Sequence, residues 1–206
     1  MTTQIMSRLP RVLIQRDFLN AADHARLLDE SLRVEDDYVP SSIFKYTDDM
    51  DDIAIGKDNK TRKSLVRQLP KDQAKLIKDK VLSCSDRIEA EIGVSFPSEC
   101  KFEIEAVQNG DGAFFATHTD TTRGPLATRR VISAVYYYSK NPRVFSGGEL
   151  KLYSLDRSAS ICVEPEDNSI VFFSSMFAHE VLPVSLKTGA FGDGRFSVNC
   201  WVHKVI

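Results

Sequence analysis

A chain of 206 residues with 42% hydrophobic and 27% charged residues and a net charge of −2 has the composition of one soluble globular domain. That near-neutral charge argues against a general nucleic-acid or membrane surface, and no apolar run approaches the roughly 20 residues a membrane span needs. The N-terminus has no uninterrupted apolar stretch of signal-peptide length, so a cytoplasmic location is expected.

Taken in chain order, RVLIQ (11–15) reads as a short strand. NAADHARLLDESLR (20–33) predicts a helix capped by Asn20, with a helical apolar stripe through Ala22, Ala25, Leu27, Leu28 and Leu32. Residues 34–62 are polar, with DDMDD and GKDNK runs, and predict an irregular surface region. Residues 70–93 predict one long helix, with Pro70 near its start and Gly93 as its stop. The grammar then changes. Polar and apolar residues alternate in 101–107 and, in part, in 129–139, 148–155, 159–164, 168–173, 179–185 and 195–203. Gly, Pro, Asn and Asp separate these segments. Many short strands without intervening helices predict a sandwich or jelly roll. The expectation is one domain over 1–206, with a helical support region over 1–97 and a β core over 98–206. The four cysteines, at 84, 100, 162 and 200, have no CxxC pairing and read as buried or free thiols.

FFATHTDTT (114–122) holds His118 and Asp120 at i and i+2. On a strand this spacing puts both side chains on one face, where an imidazole and a carboxylate can converge on one metal ion. A third ligand should come from another strand. His179 begins such a segment, whereas His24 and His203 read as surface or satisfied-core residues. Two histidines and one carboxylate make the facial triad of non-haem Fe(II) oxygenases, with three coordination positions open. On the last strand Arg195, Ser197, Asn199 and Trp201 share one face, opposite Phe196, Val198, Cys200 and Val202. An interior arginine needs an anion, and its fork matches a carboxylate. FSGGEL (145–150) puts two glycines at a strand start, which suits a bulge or a close backbone approach. GDGAFF (110–115) supplies a turn before the HxD strand, and YYY (136–138) points at least one tyrosine inward.

The order G-x-G-x-x-F-x-x-H-x-D, the YYY strand, FSGGEL, S-I-V-F-F, H-E-V-x-P-V and G-R-F-S resembles the 2-oxoglutarate- and Fe(II)-dependent dioxygenases of the prolyl 4-hydroxylase type. The resemblance spans roughly residues 98 to 204. It implies a mainly β fold with N-terminal helices (α+β), built on a double-stranded β-helix (a cupin-like jelly roll). It implies His118, Asp120 and His179 as catalytic iron ligands. Arg195, with Tyr137 and Ser197, would hold the cosubstrate, and Asn199, Trp201 and Arg130 would stand near the primary substrate. The family often carries a tyrosine about ten residues before the HxD histidine; Gln108 or Asn109 stands there in this chain, so that contact is altered or absent. The segment 187–194 looks like an extended loop before Arg195, with Lys187 as the fallback cation.

The implied cofactors are Fe(II), 2-oxoglutarate and O2, with ascorbate as an admissible accessory. The implied reaction hydroxylates an unactivated C–H bond and releases succinate and CO2. The substrate would be a prolyl or other amino-acyl side chain in a peptide or protein, or a free amino acid. The family also admits a homodimer. Asp120 argues against the halogenases of this fold, which replace the carboxylate with a small residue. A nucleic-acid base demethylase shares the fold and triad but typically carries a second arginine where Trp201 follows here. A non-enzymatic metal-binding jelly roll or sensor is the other alternative. Segments 34–62 and 121–130 are the expected lids, with Arg123, Arg129 and Arg130 as candidates to meet an acidic group.

Overall fold

A computed structural model describes residues 9–46, 53–56, 60–121 and 128–205. Strand β1 (Val12–Gln15) leads into helix α1 (Ala21–Arg33). Five short strands follow: β2 (Val39–Pro40), β3 (Ile43–Tyr46), β4 (Ile53–Gly56), β5 (Arg62–Lys63) and β6 (Leu65–Gln68). Helices α2 (Lys71–Leu82) and α3 (Ser85–Ile92) precede the long β segment. That segment holds β7 (Cys100–Asn109), β8 (Phe114–His118), β9 (Thr128–Tyr138), β10 (Ser146–Gly147) and β11 (Leu150–Tyr153). It ends with β12 (Ser160–Val163), β13 (Ser169–Ser174), β14 (His179–Val181), β15 (Val184–Ser185) and β16 (Arg195–Val205).

Two antiparallel sheets face each other. The larger runs β1-β13-β9-β16-β7-β6-β2 and the smaller β12-β11-β14-β8-β5. The large sheet is covered on both sides. Its outer face packs Ala106, Ile132, Tyr136, Tyr138, Phe172, Phe196, Val198 and Val202 against Leu27 of α1, Ile77 and Val81 of α2, and Ile88 and Ile92 of α3. Its inner face sets Tyr137, Val171 and Phe173 against Leu150 and Leu152 of the small sheet. Double coverage explains why SIVFFS in β13 is a continuous apolar run, buried at every position, where a one-sided strand would alternate. Each such large side chain contributes roughly 1.5–3 kcal/mol by burial.

Local chemistry explains the helix ends. The Asn20 side chain accepts from the Asp23 amide at 2.9 Å and caps α1 as expected. Gly93, with φ 72°, closes α3 in the left-handed region. The single helix predicted over 70–93 is in fact two. Ser83 donates from its hydroxyl to the Lys80 carbonyl at 2.7 Å, a local bond that competes with the helical ladder. The polar segment 34–62 is likewise not irregular throughout. It contributes β2 to the large sheet, and β3 and β4 pair as a hairpin. Arg62 and Lys63, at its end, open β5 on the small sheet. The N-terminal region thus supplies strands to both sheets as well as the helical support.

The segment before β16 is pinned rather than splayed. Phe191, in a short 3-10 turn (Phe191–Asp193), packs edge-on to Tyr38 and Phe196 with ring centroids 5.2 and 5.3 Å apart. Asp193 pairs with Lys140 at 3.1 Å. Cys84 and Cys200 are buried, Cys162 is exposed, and Cys100 lies between; all four are free thiols. No helix among the described residues is long and apolar enough to cross a membrane.

Candidate active site

The site sits between the two sheets. β14 pairs with β8 so that His179 lies directly opposite His118. A register shift follows, between His179 and Val181. Asp120 lies two residues past His118, just beyond the end of β8 rather than within it. Its amide donates to the Ser175 carbonyl at 3.2 Å, which turns the carboxylate back toward the imidazoles. His118 Nε2 is 3.6 Å from Asp120 Oδ1, and His179 Nε2 is 3.5 Å from Asp120 Oδ2. One ligand atom from each residue fits within 4.8 Å of the other two.

Both imidazoles are held in one tautomer. His118 Nδ1 faces the Ala116 carbonyl at 2.8 Å, and His179 Nδ1 faces the Phe177 carbonyl at 2.9 Å. A nitrogen facing a carbonyl must carry the proton, so each Nε2 keeps a lone pair directed at the shared point. The rings are also fixed by packing. Phe115 stacks on His118 at 3.6 Å between centroids, with Arg62 over the Phe115 ring at 4.9 Å. Phe173 meets His179 edge-on at 4.8 Å.

Electrostatics keep the donors ready. Burial pulls the His179 pKa down to about 4, against the partial opposition of Asp120, so this imidazole is neutral at neutral pH. Burial alone would raise the Asp120 carboxyl. His179, His118 and a hydrogen bond from Ser133 outweigh it and hold the group well below the usual carboxylate range. Ser133 donates to Asp120 Oδ2 at 2.6 Å and is backed by the Ser175 hydroxyl at 2.9 Å. Two neutral imidazoles and one anionic carboxylate, oriented and ionised, are a donor set that fits a divalent cation such as Fe(II).

A second feature lies deeper in the same cavity. Arg195 is buried to 2% exposure, and its guanidinium carbon lies 4.9 Å over the Tyr137 ring. Its hydrogen-bonding partners are neutral: NH1 donates to Asn109 Oδ1 at 2.7 Å and approaches Ser197 Oγ at 3.4 Å. Arg195 Nε and Tyr137 Oη are buried without a hydrogen-bond partner. Burial lowers the Arg195 pKa and raises that of Tyr137. A buried cation with unsatisfied donors beside it is a site that an anion completes. Tyr137 is the inward member of YYY, because Tyr136 and Tyr138 pack on the helix side.

The expected glycine approach is present. Gly147 and Gly148 have φ of 73° and 75°. A Cβ on Gly148 would stand 2.6 Å from Arg195 Cδ, and one on Gly147 would stand 2.2 Å from the Pro183 carbonyl oxygen. Only glycine admits both the backbone angle and the contact.

Ser197, Asn199 and Trp201 line the cavity with Arg195, as their alternation predicts. Trp201 is 8% exposed, and Arg130 covers one face of its ring at 4.1 Å. Arg130 also pairs with Glu103 at 2.7 Å and approaches Asp120 Oδ1 at 3.8 Å. It thus bridges the metal-ligand cluster and Trp201. Arg129 and Lys187 are exposed, so Arg195 alone of the two proposed cations reaches the interior. Arg123 and the lid segments 47–52, 57–59 and 122–127 lie outside the described residues. Ser133, Phe115 and Arg62 belong to the site but were not predicted. Alternation back from Tyr137 would have put Ser133 on the inner face.

A jelly roll with a two-histidine, one-carboxylate cluster beside a buried guanidinium defines an iron-oxygenase-like architecture. Comparison with known proteins agrees. The sequence model of the 2OG-Fe(II) oxygenase superfamily matches residues 104–203, which bears out the resemblance read from the ordered motifs. An uncharacterized PKHD-type hydroxylase of Synechocystis sp. is 27% identical over 200 residues, which is 92% of this chain and 62% of the relative. The chain therefore spans less than two thirds of that relative's length. Among solved structures, a Pseudomonas putida prolyl-4-hydroxylase superposes with a TM-score of 0.65 at 23% identity, covering 95% of this chain and 93% of that one. A Trichoplax adhaerens prolyl hydroxylase, solved with a hypoxia inducible factor peptide, gives 0.67 at 18% identity, covering 94% and 83%. These structures share the fold.

Proposed function

We propose that this chain is a 2-oxoglutarate-dependent dioxygenase that hydroxylates an unactivated C–H bond of a prolyl or other amino-acyl side chain in a peptide or protein, or of a free amino acid. One observation carries the reading: the His118–Asp120–His179 cluster and the anion-seeking Arg195 share one cavity. His118 Nε2, His179 Nε2 and an Asp120 oxygen would hold Fe(II), leaving three positions open. With Fe(II), 2-oxoglutarate and O2 bound, the site gains the oxidising power that places one oxygen atom in a C–H bond and releases succinate and CO2.

The chain's own residues supply orientation. Ser133 restrains Asp120 Oδ2. Arg195 and the Tyr137 hydroxyl receive the distal carboxylate of 2-oxoglutarate in a dry pocket, where a charge-assisted contact is strong. Asn199, Trp201 and Arg130 form the wall beyond, toward the primary substrate. The peptide complex of the Trichoplax relative supports a peptidyl substrate. The Synechocystis relative's designation as a hydroxylase supports the reaction class.

The test is succinate formation by the full chain supplied with Fe(II), 2-oxoglutarate and air, with mass spectrometry of proline-containing peptides and free amino acids for the gain of one oxygen atom. A chain that binds metal yet yields no succinate with any member of the panel, and none in its absence, would favour a metal-binding sensor instead.

A further inference from the structure

Asn109 ends β7 directly across from Arg195, the first residue of β16. Both side chains are buried, at 3% and 2% exposure, and both line the cavity. The Asn109 Oδ1 accepts from Arg195 NH1 at 2.7 Å, and Ser197 Oγ lies 3.4 Å from the same nitrogen. A guanidinium is a rigid planar fork, so fixing NH1 fixes the direction of the opposite edge. On that edge Nε has no partner. The contact therefore orients the fork from behind.

The chemistry of the amide matters as much as its position. An amide oxygen accepts a hydrogen bond without carrying charge, so Asn109 holds the guanidinium and leaves its charge uncompensated. A carboxylate at this place would hold the fork equally well but neutralise it in a low-dielectric pocket. A side chain too short to reach would leave the charge and free the fork to turn. We infer that Asn109 is a positioning residue for the distal carboxylate of the cosubstrate, acting through Arg195 by fixing the guanidinium while leaving its charge for the incoming anion. The inference rests on the reading of this cavity as a 2-oxoglutarate site.

The test is equilibrium binding to the Mn(II)-loaded full chain by calorimetry, with two probes. 2-Oxoglutarate carries the distal carboxylate; 2-oxobutyrate has the same chelating end and lacks it. Asn109→Ala should weaken 2-oxoglutarate binding about tenfold, the size of a lost hydrogen bond to a charged group. Asn109→Asp should weaken it more, on the order of a hundredfold, because the anion then meets a compensated guanidinium and a like charge. Both variants should bind 2-oxobutyrate as the wild type does. The inference is overturned if either folded variant binds 2-oxoglutarate like the wild type, or if both probes weaken in parallel, which would make Asn109 a general wall of the pocket. A wild-type chain that binds 2-oxobutyrate and 2-oxoglutarate equally would instead sink the cosubstrate reading itself.

Discussion

Arg195 and Trp201 lie six residues apart on β16 and separate two functions of one strand. Arg195 is deep, with unpaired donors. Trp201 is nearer Arg130 and Glu103, which stack and pair at that end. Replacing Arg195 by Met should weaken 2-oxoglutarate binding roughly 30-fold or more, since losing one partner of a buried charged contact costs about 2–5 kcal/mol. Metal binding should be spared, and calorimetry on the Mn(II)-loaded protein reads both. Trp201→Ala should act differently. One face of the indole is already taken by the Arg130 guanidinium, so the rest of the ring is what the cavity sees. Its loss should depress substrate turnover more than substrate-independent decarboxylation of 2-oxoglutarate. Equal losses in both, with a large fall in melting temperature, would mean that Trp201 only packs. These residues were legible in the sequence because each belongs to an ordered motif or to the alternation of a long strand. Asn109 was not separable from Gln108, because the choice depends on strand register. The pairing of Arg195 with Asn109 turns Gln108 outward, where its side chain donates to the Phe191 carbonyl at 2.8 Å.

At the scale of elements, the short strand β10 matters out of proportion to its two residues. It pairs with β15, and the pair brings Gly148 against Arg195. Gly148→Ala would impose a positive φ of 75° on alanine and drive its Cβ to 2.6 Å from Arg195 Cδ. Strain and overpacking of this kind cost on the order of 1–3 kcal/mol, and a chain of this size loses roughly 2–4 °C of melting temperature per kcal/mol. The expected result is a fall of several degrees by calorimetry, with 2-oxoglutarate binding weakened and metal binding kept, since it is Arg195 that must move. An unchanged melting temperature and cosubstrate affinity would show that the backbone can yield here. The glycine pair was readable because two adjacent glycines at a strand start have few other uses. The strands within 34–62 were not, because two- to four-residue strands carry too little alternation to stand out from polar loop. The break at Ser83 was hidden for the opposite reason. Val81, Cys84, Ile88 and Ile92 are all buried, and their spacing keeps one helical stripe running straight through it.

At the scale of the whole molecule, the donor cluster ties the two halves of the small sheet to the large one. His118 and His179 come from paired strands of the small sheet, whereas Asp120 is restrained by Ser133 of β9 in the large sheet. A metal ion held by all three would therefore clamp one sheet to the other. It binds the folded chain, because the unfolded chain does not bring the three ligands together. Binding of that kind stabilises the native state by RT ln(1 + [M]/Kd), about 2.7 kcal/mol at a hundredfold excess over Kd. For a chain of this size that corresponds to a rise of roughly 5–10 °C in melting temperature. Fe(II) without oxygen, or Mn(II), should give the rise, and a chelator should reverse it. His179→Ala removes one of the three ligands and leaves Asp120 without the partner that most lowers its pKa among the surrounding groups. In that variant the metal-dependent rise should disappear, whatever happens to the metal-free melting temperature. A variant that kept the full rise would place the stabilising metal somewhere other than His118, Asp120 and His179.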